Sequence, residues 1–206
     1  MKMQTTYAYA LLLACAVLLA PAVALAQNGY EIGDKVADFQ LKSTAGKMVS
    51  LADYQDAKGI VVVFSCNTCP IVKYYEDRMI STHKAYADKG FPFLLINSND
   101  PKKSPGDSFE KMQDHAKKMK YPFTYVFDET QAVAKKFKAT NTPQVYLLTK
   151  KGNDWVLTYT GAIDDSPQSA DNAKKHYLKD AIEAVLAGKE VKTQKTKAVG
   201  CTIKFS

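Results

Sequence analysis

Arginine is all but missing from this chain. Arg78 is the only one, although the formal net charge is +7. Readers of nucleic acid lean on arginine for bidentate contacts to bases and phosphates. Here the positive charge is carried by scattered lysines, no denser than doublets such as Lys117–Lys118. That pattern is a solvated surface, and no nucleic-acid partner is expected. Histidine is also scarce. His83, His115 and His176 form no second metal-binding pair with the remaining cysteines, so no metal and no other cofactor is expected. His83 lies on a helical stripe and is expected to pack; His115 and His176 are expected at the surface. Past residue 26 no apolar run is long enough to span a bilayer, so no stable membrane span is expected in the mature chain. Internal repeats and low-complexity tracts are absent.

What is present at the N-terminus is a leader pattern. Lys2 precedes an apolar run from Tyr7 to Leu25, closed by Ala24-Leu25-Ala26, the small-x-small signature of signal peptidase. An uncleaved anchor is disfavoured by Pro21. Lipidation at Cys15 would leave the apolar stretch Ala16 to Leu25 at the mature terminus, where a polar tether is usual. The expected organisation is a signal peptide over 1–26 and one domain over 27–206, with a lysine-rich tail at 189–206. Export to the periplasm or cell envelope of a bacterium follows, where disulfides form and persist. Cleavage leaves Cys66, Cys69 and Cys201, an odd number.

The mature chain has 206 − 26 = 180 residues, enough for one core, and 46% of the whole sequence is hydrophobic. Val36–Leu41 and Met48–Leu51 read as short strands. Ile60-Val61-Val62-Val63-Phe64 is a continuous β-branched run, the pattern of a strand buried on both faces. A helix is expected from Pro70 to Lys89, with Tyr74, Tyr75, Met79, Ile80, His83 and Tyr86 as its apolar stripe and Gly90 as its stop. Phe91–Ile96 is a second buried strand, so the order is β-α-β with parallel strands. Further elements are a polar helix over Asp107–Lys120, a strand at Phe123–Phe127 and a short helix over Glu129–Phe137 capped by Asp128. A hairpin of Gln144–Leu148 with Trp155–Tyr159 and an amphipathic helix over Asp171–Ala187 complete the pattern.

Cys66-Asn67-Thr68-Cys69 falls between the buried strand and the start of the first helix. As a structural disulfide its four-residue loop would contribute only about 2 kcal/mol. As a redox pair its position has a chemical reason. A helix start offers unpaired N–H groups and the positive end of the dipole, which stabilise a thiolate. Lowering a thiol pKa from about 8.5 to about 7 raises the thiolate share at neutral pH from a few per cent to half, for roughly 2 kcal/mol. This placement predicts Cys66 as the more exposed, attacking thiol. Cys69, one turn on and inside the helix, is then the resolving thiol.

Cysteine pair, β-α-β unit and a proline, Pro143, opening the next strand resemble the thioredoxin superfamily. Within it the chain is most similar to the TlpA/ResA-like and redoxin (AhpC/TSA) group. The residues that carry the likeness are Ile32-Gly33-Asp34-Lys35-Val36-Ala37-Asp38-Phe39, the Val62-Val63-Phe64 strand, Cys66 to Pro70, and Asp128 to Phe137. The resemblance implies an α/β, thioredoxin-like fold: a central mixed sheet flanked by helices, with an extra helix after the second core strand. It implies a cis bond at Thr142-Pro143, packed against the cysteine pair, with the Thr142 backbone as an edge for a substrate peptide. It implies a thiol–disulfide oxidoreductase. Its partners would be protein thiols or disulfides of the envelope and an upstream redox protein. Ile60 stands six residues before Cys66, where thioredoxin has a buried acid, so no proton relay through a buried carboxylate is expected.

Two alternatives share the fold. A peroxiredoxin-like peroxidase has P-x-x-x-[TS]-x-x-C, but the matching positions are Gly59 and Val63 before Cys66, and Val62 and Cys66 before Cys69. A Sco-like copper carrier has a C-x-x-x-C pair, one residue longer. Cys201 alternates with Val199 and Ile203 and is expected to be a buried packing thiol; a third exchanging thiol is the other possibility.

Overall fold

The computed structural model describes residues 29–206, so the expected leader lies outside the described residues. In chain order the strands and helices are β1 (Lys35–Val36), β2 (Gln40–Ser43), β3 (Met48–Ser50), β4 (Gly59–Phe64), α1 (Pro70–Tyr86), β5 (Phe93–Asn97), α2 (Phe109–Met119), β6 (Thr124–Phe127), α3 (Ala132–Phe137), β7 (Asn141–Thr142), β8 (Gln144–Lys151), β9 (Asp154–Gly161), α4 (Tyr177–Leu186) and β10 (Cys201–Thr202).

Eight strands form one sheet in the order β1-β9-β8-β4-β5-β6-β2-β3. β4, β5 and β6 are parallel; β8 runs antiparallel to β4. The continuous apolar run of β4 has a simple cause. Successive side chains of a strand point to opposite faces, and both faces are covered. Val61 and Val63 share a cluster with Tyr75 and Met79 of α1 and Leu178 and Ile182 of α4. Ile60, Val62 and Phe64 share another with Val133, Ala134 and Phe137 of α3. Each such side chain fully withdrawn from water stabilises the fold by roughly 1.5–3 kcal/mol. The mixed sheet, the flanking helices and the inserted α2 match the expected fold class.

α1 begins at Pro70, whose missing N–H is one that a first turn leaves unpaired in any case. A 3-10 turn at 87–89 follows, and Gly90, at φ +94°, carries the chain into β5 through the left-handed region. The buried stripe of α1 contains Tyr75 but not Tyr74, which is 52% exposed rather than packed as expected.

Some boundaries depart from expectation, each for a local reason. The single strand expected at Val36–Leu41 is two strands at different sites in the sheet, β1 beside β9 and β2 between β3 and β6. Between them Asp38 Oδ1 accepts the N–H groups of Phe39 at 2.9 Å and Leu51 at 2.8 Å, and residues 37–39 lie outside the sheet. α4 begins at Tyr177 rather than Asp171. Asp165 Oδ1 accepts from the N–H groups of Lys174 and Lys175, holding that stretch as a loop. His115 is half-buried rather than on the surface, and its Nε2 is bonded to the buried carboxylate of Glu76.

The tail is a docked strap. Thr196 Oγ1 bonds to the Tyr159 hydroxyl at 2.7 Å and accepts from Ala162 N–H at 2.9 Å. β10 then pairs with β7 as a separate two-stranded sheet. Ile203 is buried in the cluster beneath α3, and Gln131 binds both Lys204 O and Ser206 N.

Candidate active site

β4 delivers the chain to the site, and Ser65 N–H still donates to Ile96 O at 2.8 Å. Cys66, Asn67 and Thr68 form the loop beyond it, and Cys69 is the N-cap of α1. Cys69 therefore precedes the helix and is not inside it. Both cysteines are free thiols and each is 2% exposed, so Cys66 is not the more accessible of the two.

The Thr142–Pro143 peptide bond is cis, and Thr142 lies against the pair. Thr142 Oγ1 lies 3.1 Å from Cys66 Sγ, and the Thr142 carbonyl oxygen lies 3.2 Å from Cys69 Sγ, whose S–H donates to it when protonated. The structure thus unites all four expected site residues, Cys66, Cys69, Thr142 and Pro143. The Thr142 edge is not open to a peptide. β10 occupies it, with Cys201 opposite Thr142 and Thr202 opposite Asn141. Cys201 is only partly buried, and Val199 is exposed, so the buried strand face expected there does not form.

Asp107 was invisible as a site residue in the sequence. It closes the Ser104-Pro105-Gly106 turn ahead of α2 and is fully buried. Its Oδ1 accepts the Asn67 N–H at 2.6 Å and Asn97 Nδ2 at 3.2 Å. Its Oδ2 accepts Thr68 Oγ1 at 2.8 Å, Asn99 Nδ2 at 2.9 Å and the Ser104 hydroxyl. Tyr125 completes the clamp by donating to Asn67 Oδ1 at 3.0 Å. The residues between the cysteines are therefore fixed by one carboxylate. Burial alone would raise its pKa; donation by Ser104, Asn99, the Asn67 N–H and Thr68 outweighs burial and holds it below the usual carboxylate range. A Pro-Gly turn before a helix was readable, but not where its aspartate points.

Of the two thiols, Cys69 is the one whose pKa is lowered. The Cys66 S–H donates to it, and the Cys201 thiol and the backbone N–H groups of Val72 and Cys201 add to this, so its pKa drops despite burial. Cys66 moves upward, because its proton is held by Cys69, because it is buried and because Asp107 is charged; the Thr142 hydroxyl offsets only part of this. These directions favour Cys69 over the expected Cys66 as the thiolate. The dipole argument holds, but the residue standing at the cap is Cys69. Among the described residues no group of three or more His, Cys, Asp or Glu is placed to hold a metal ion.

Residues 32–154 match the model of the AhpC/TSA family. A search of curated proteins finds no match. Among solved structures, an uncharacterized conserved protein from Geobacillus kaustophilus is 34% identical, with a TM-score of 0.79 over 87% of this chain and 94% of that one. A hypothetical protein from Sinorhizobium meliloti is 32% identical, also at 0.79, over 87% and 97%. A thioredoxin-family thiol:disulfide interchange protein from Chlorobium tepidum shares the fold at a TM-score of 0.57 and 15% identity, over 77% and 99%.

Proposed function

Since the chain belongs to the AhpC/TSA family of thioredoxin-like redoxins, we propose that it is a thiol–disulfide oxidoreductase whose working centre is Cys66 and Cys69. One observation carries this: two free, buried thiols meet at the start of α1, Cys66 Sγ 3.1 Å from Thr142 Oγ1 and Cys69 Sγ 3.2 Å from the Thr142 carbonyl oxygen. A structural pair would have no use for a sulfur held as thiolate.

The Cys69 thiolate attacks one sulfur of a substrate disulfide. A mixed disulfide forms and the other substrate sulfur leaves as a thiolate. Cys66 gives its proton to that departing sulfur and attacks Cys69 Sγ, which releases the second substrate thiolate and closes the Cys66–Cys69 disulfide. An upstream thiol protein returns two electrons. The Thr142 hydroxyl and carbonyl border the two sulfurs and hold them in place beside each other. Asp107 keeps the intervening loop rigid, so the two sulfurs stay within reach of each other. We place the mature protein in the bacterial envelope on the strength of the leader over 1–26, with envelope protein thiols or disulfides as partners.

The test is the reduction potential of the Cys66/Cys69 couple in glutathione buffers, with disulfide-reductase and peroxidase assays in parallel. Reversible two-electron titration with reductase turnover is expected. Hydrogen peroxide consumption that outpaces disulfide reduction would assign the chain to the peroxidase alternative.

A further inference from the structure

β10 lies on the edge of Thr142, where an extended peptide would otherwise add as a strand. It is fitted to that edge. A Cβ on Gly200 would stand 2.0 Å from the Thr142 carbonyl oxygen and 2.6 Å from its carbon, so no side chain fits there. Asn141 Nδ2 donates to Gly200 O at 3.1 Å, and Thr142 Oγ1 to Cys201 O at 3.4 Å. Ile203 N–H donates to Thr140 O at 2.9 Å, and Lys204 N–H to Asn99 Oδ1 at 2.8 Å. Held on both sides, this segment sets Cys201 opposite Thr142, whose carbonyl oxygen lies 3.2 Å from the Cys69 sulfur, and brings the Cys201 thiol beside that sulfur at the first turn of α1. Cys201 also packs on the core cluster that contains Cys66 and Cys69. The site therefore holds three thiols, with Cys69 in the middle. Cys66 and Cys69 are sealed, and Cys201 alone is partly open to solvent.

We propose that Cys201 is a third redox thiol of this site, exchanging with the Cys66–Cys69 disulfide and linking that buried couple to thiols outside. The proposal rests on the thiol–disulfide function argued above. The Cys201 thiolate attacks Cys69 Sγ. The Cys69–Cys201 bond forms, the Cys66–Cys69 bond breaks, and Cys66 leaves as a thiolate that takes up the proton Cys201 surrendered. One disulfide and one thiol are present before and after, so no external oxidant or reductant is consumed. In the reduced site burial and the negative Cys69 beside it push the Cys201 pKa upward. Oxidation of Cys69 removes the second cause. Cys201 therefore ionises more readily when there is a disulfide for it to attack. The exchange also moves the oxidised bond from a sealed pair to one whose outer sulfur an external thiol reaches.

Disulfide mapping tests this. The full mature chain is equilibrated in glutathione buffers of graded poise, its free thiols are blocked with N-ethylmaleimide, and its peptides are mapped without reduction. In the wild type, Cys69–Cys201 is expected as about a tenth or more of the internal disulfide. Its ratio to Cys66–Cys69 should stay constant across the series, because interconversion transfers no electrons to the buffer. Cys66→Ser and Cys66→Ala, each checked for folding by circular dichroism, should both form Cys69–Cys201 as their internal disulfide. Cys66–Cys69 alone in the wild type, with Cys201 free in both folded variants, overturns the proposal and leaves the redox pair standing. No internal disulfide at any poise overturns the redox pair itself, and the proposal with it.

Discussion

The Asn67 backbone N–H donates to Asp107 Oδ1 at 2.6 Å, so a carboxylate forty residues further along the chain sets the loop between the two cysteines. That carboxylate is buried, ionised and bonded to the loop on both oxygens. Its removal should be felt in stability, in the pH profile and at the sulfurs.

Asp107→Asn is expected to cost about 1–3 kcal/mol at neutral pH, because buried donors lose their acceptor. The folded pKa of Asp107 lies below its unfolded value of about 3.9. Its contribution is therefore complete above that value and fades as pH falls through the folded pKa. The stability gap between wild type and variant should be constant from pH 5 to 7 and narrow below about pH 4. Urea melts across that range measure it. The Cys66 thiol, freed of a neighbouring negative charge, should titrate lower in the variant.

Cys69→Ser is expected to lower the disulfide-exchange rate at neutral pH by about tenfold, the equivalent of one pKa unit, since burial and Asp107 still push the remaining Cys66 upward. Cys66→Ser keeps an attacking Cys69, with a serine hydroxyl in place of the thiol donor at position 66. Mixed disulfides should accumulate on Cys66→Ser only when Cys201 is replaced as well. Trapping by Cys69→Ser instead would return the attacking role to Cys66.

Arg78 grips Asp164 through Nη1, at 2.9 Å and 2.7 Å from its two oxygens, and stacks 3.8 Å from the centre of the Tyr75 ring. Asp164 is buried. Arg78→Ala leaves that charge unpaired and should cost about 3–5 kcal/mol, a fall in Tm of order 10 °C for a chain this size. Arg78→Lys should recover little, because an ammonium cannot present the same fork. Full recovery by lysine would show that charge alone matters.

Ile203→Ala is expected to loosen the strap. Removing a buried isoleucine side chain costs about 2–5 kcal/mol, and here the lost contacts are those that hold β10 down. Alkylation of Cys66 and Cys69 by iodoacetamide in the reduced protein should accelerate by about tenfold or more, since each 1.4 kcal/mol of easier opening is worth a factor of ten. An unchanged rate would mean that the thiols reach solvent by another route.

The central sheet was legible because its signals are local. Five successive β-branched or aromatic residues from Ile60 to Phe64 specify a doubly covered strand, and Pro70 and Gly90 bracket the helix that follows. The cysteine pair and Pro143 were legible as types in a known order. Other features depend on contacts that no window of sequence contains. Asp38 and Asp165 redirect the chain through their own side-chain acceptors, which propensity does not register. Asp107 lies 40 residues from Asn67, and Cys201 lies 59 from Thr142. The helix start at Pro70 was legible, but a start there makes Cys69 the cap, and the dipole argument was applied to Cys66 instead.

The strap also has a place in time. Residues 199–204 are synthesised after β4, α1, β7 and the loop at residue 99, all of which they touch or cover. Synthesis runs from the N-terminus, and the domain's other elements are available to fold before this one is complete. In the folded chain Cys66 and Cys69 are covered by this last segment, and Cys201 is the thiol presented outward in their place.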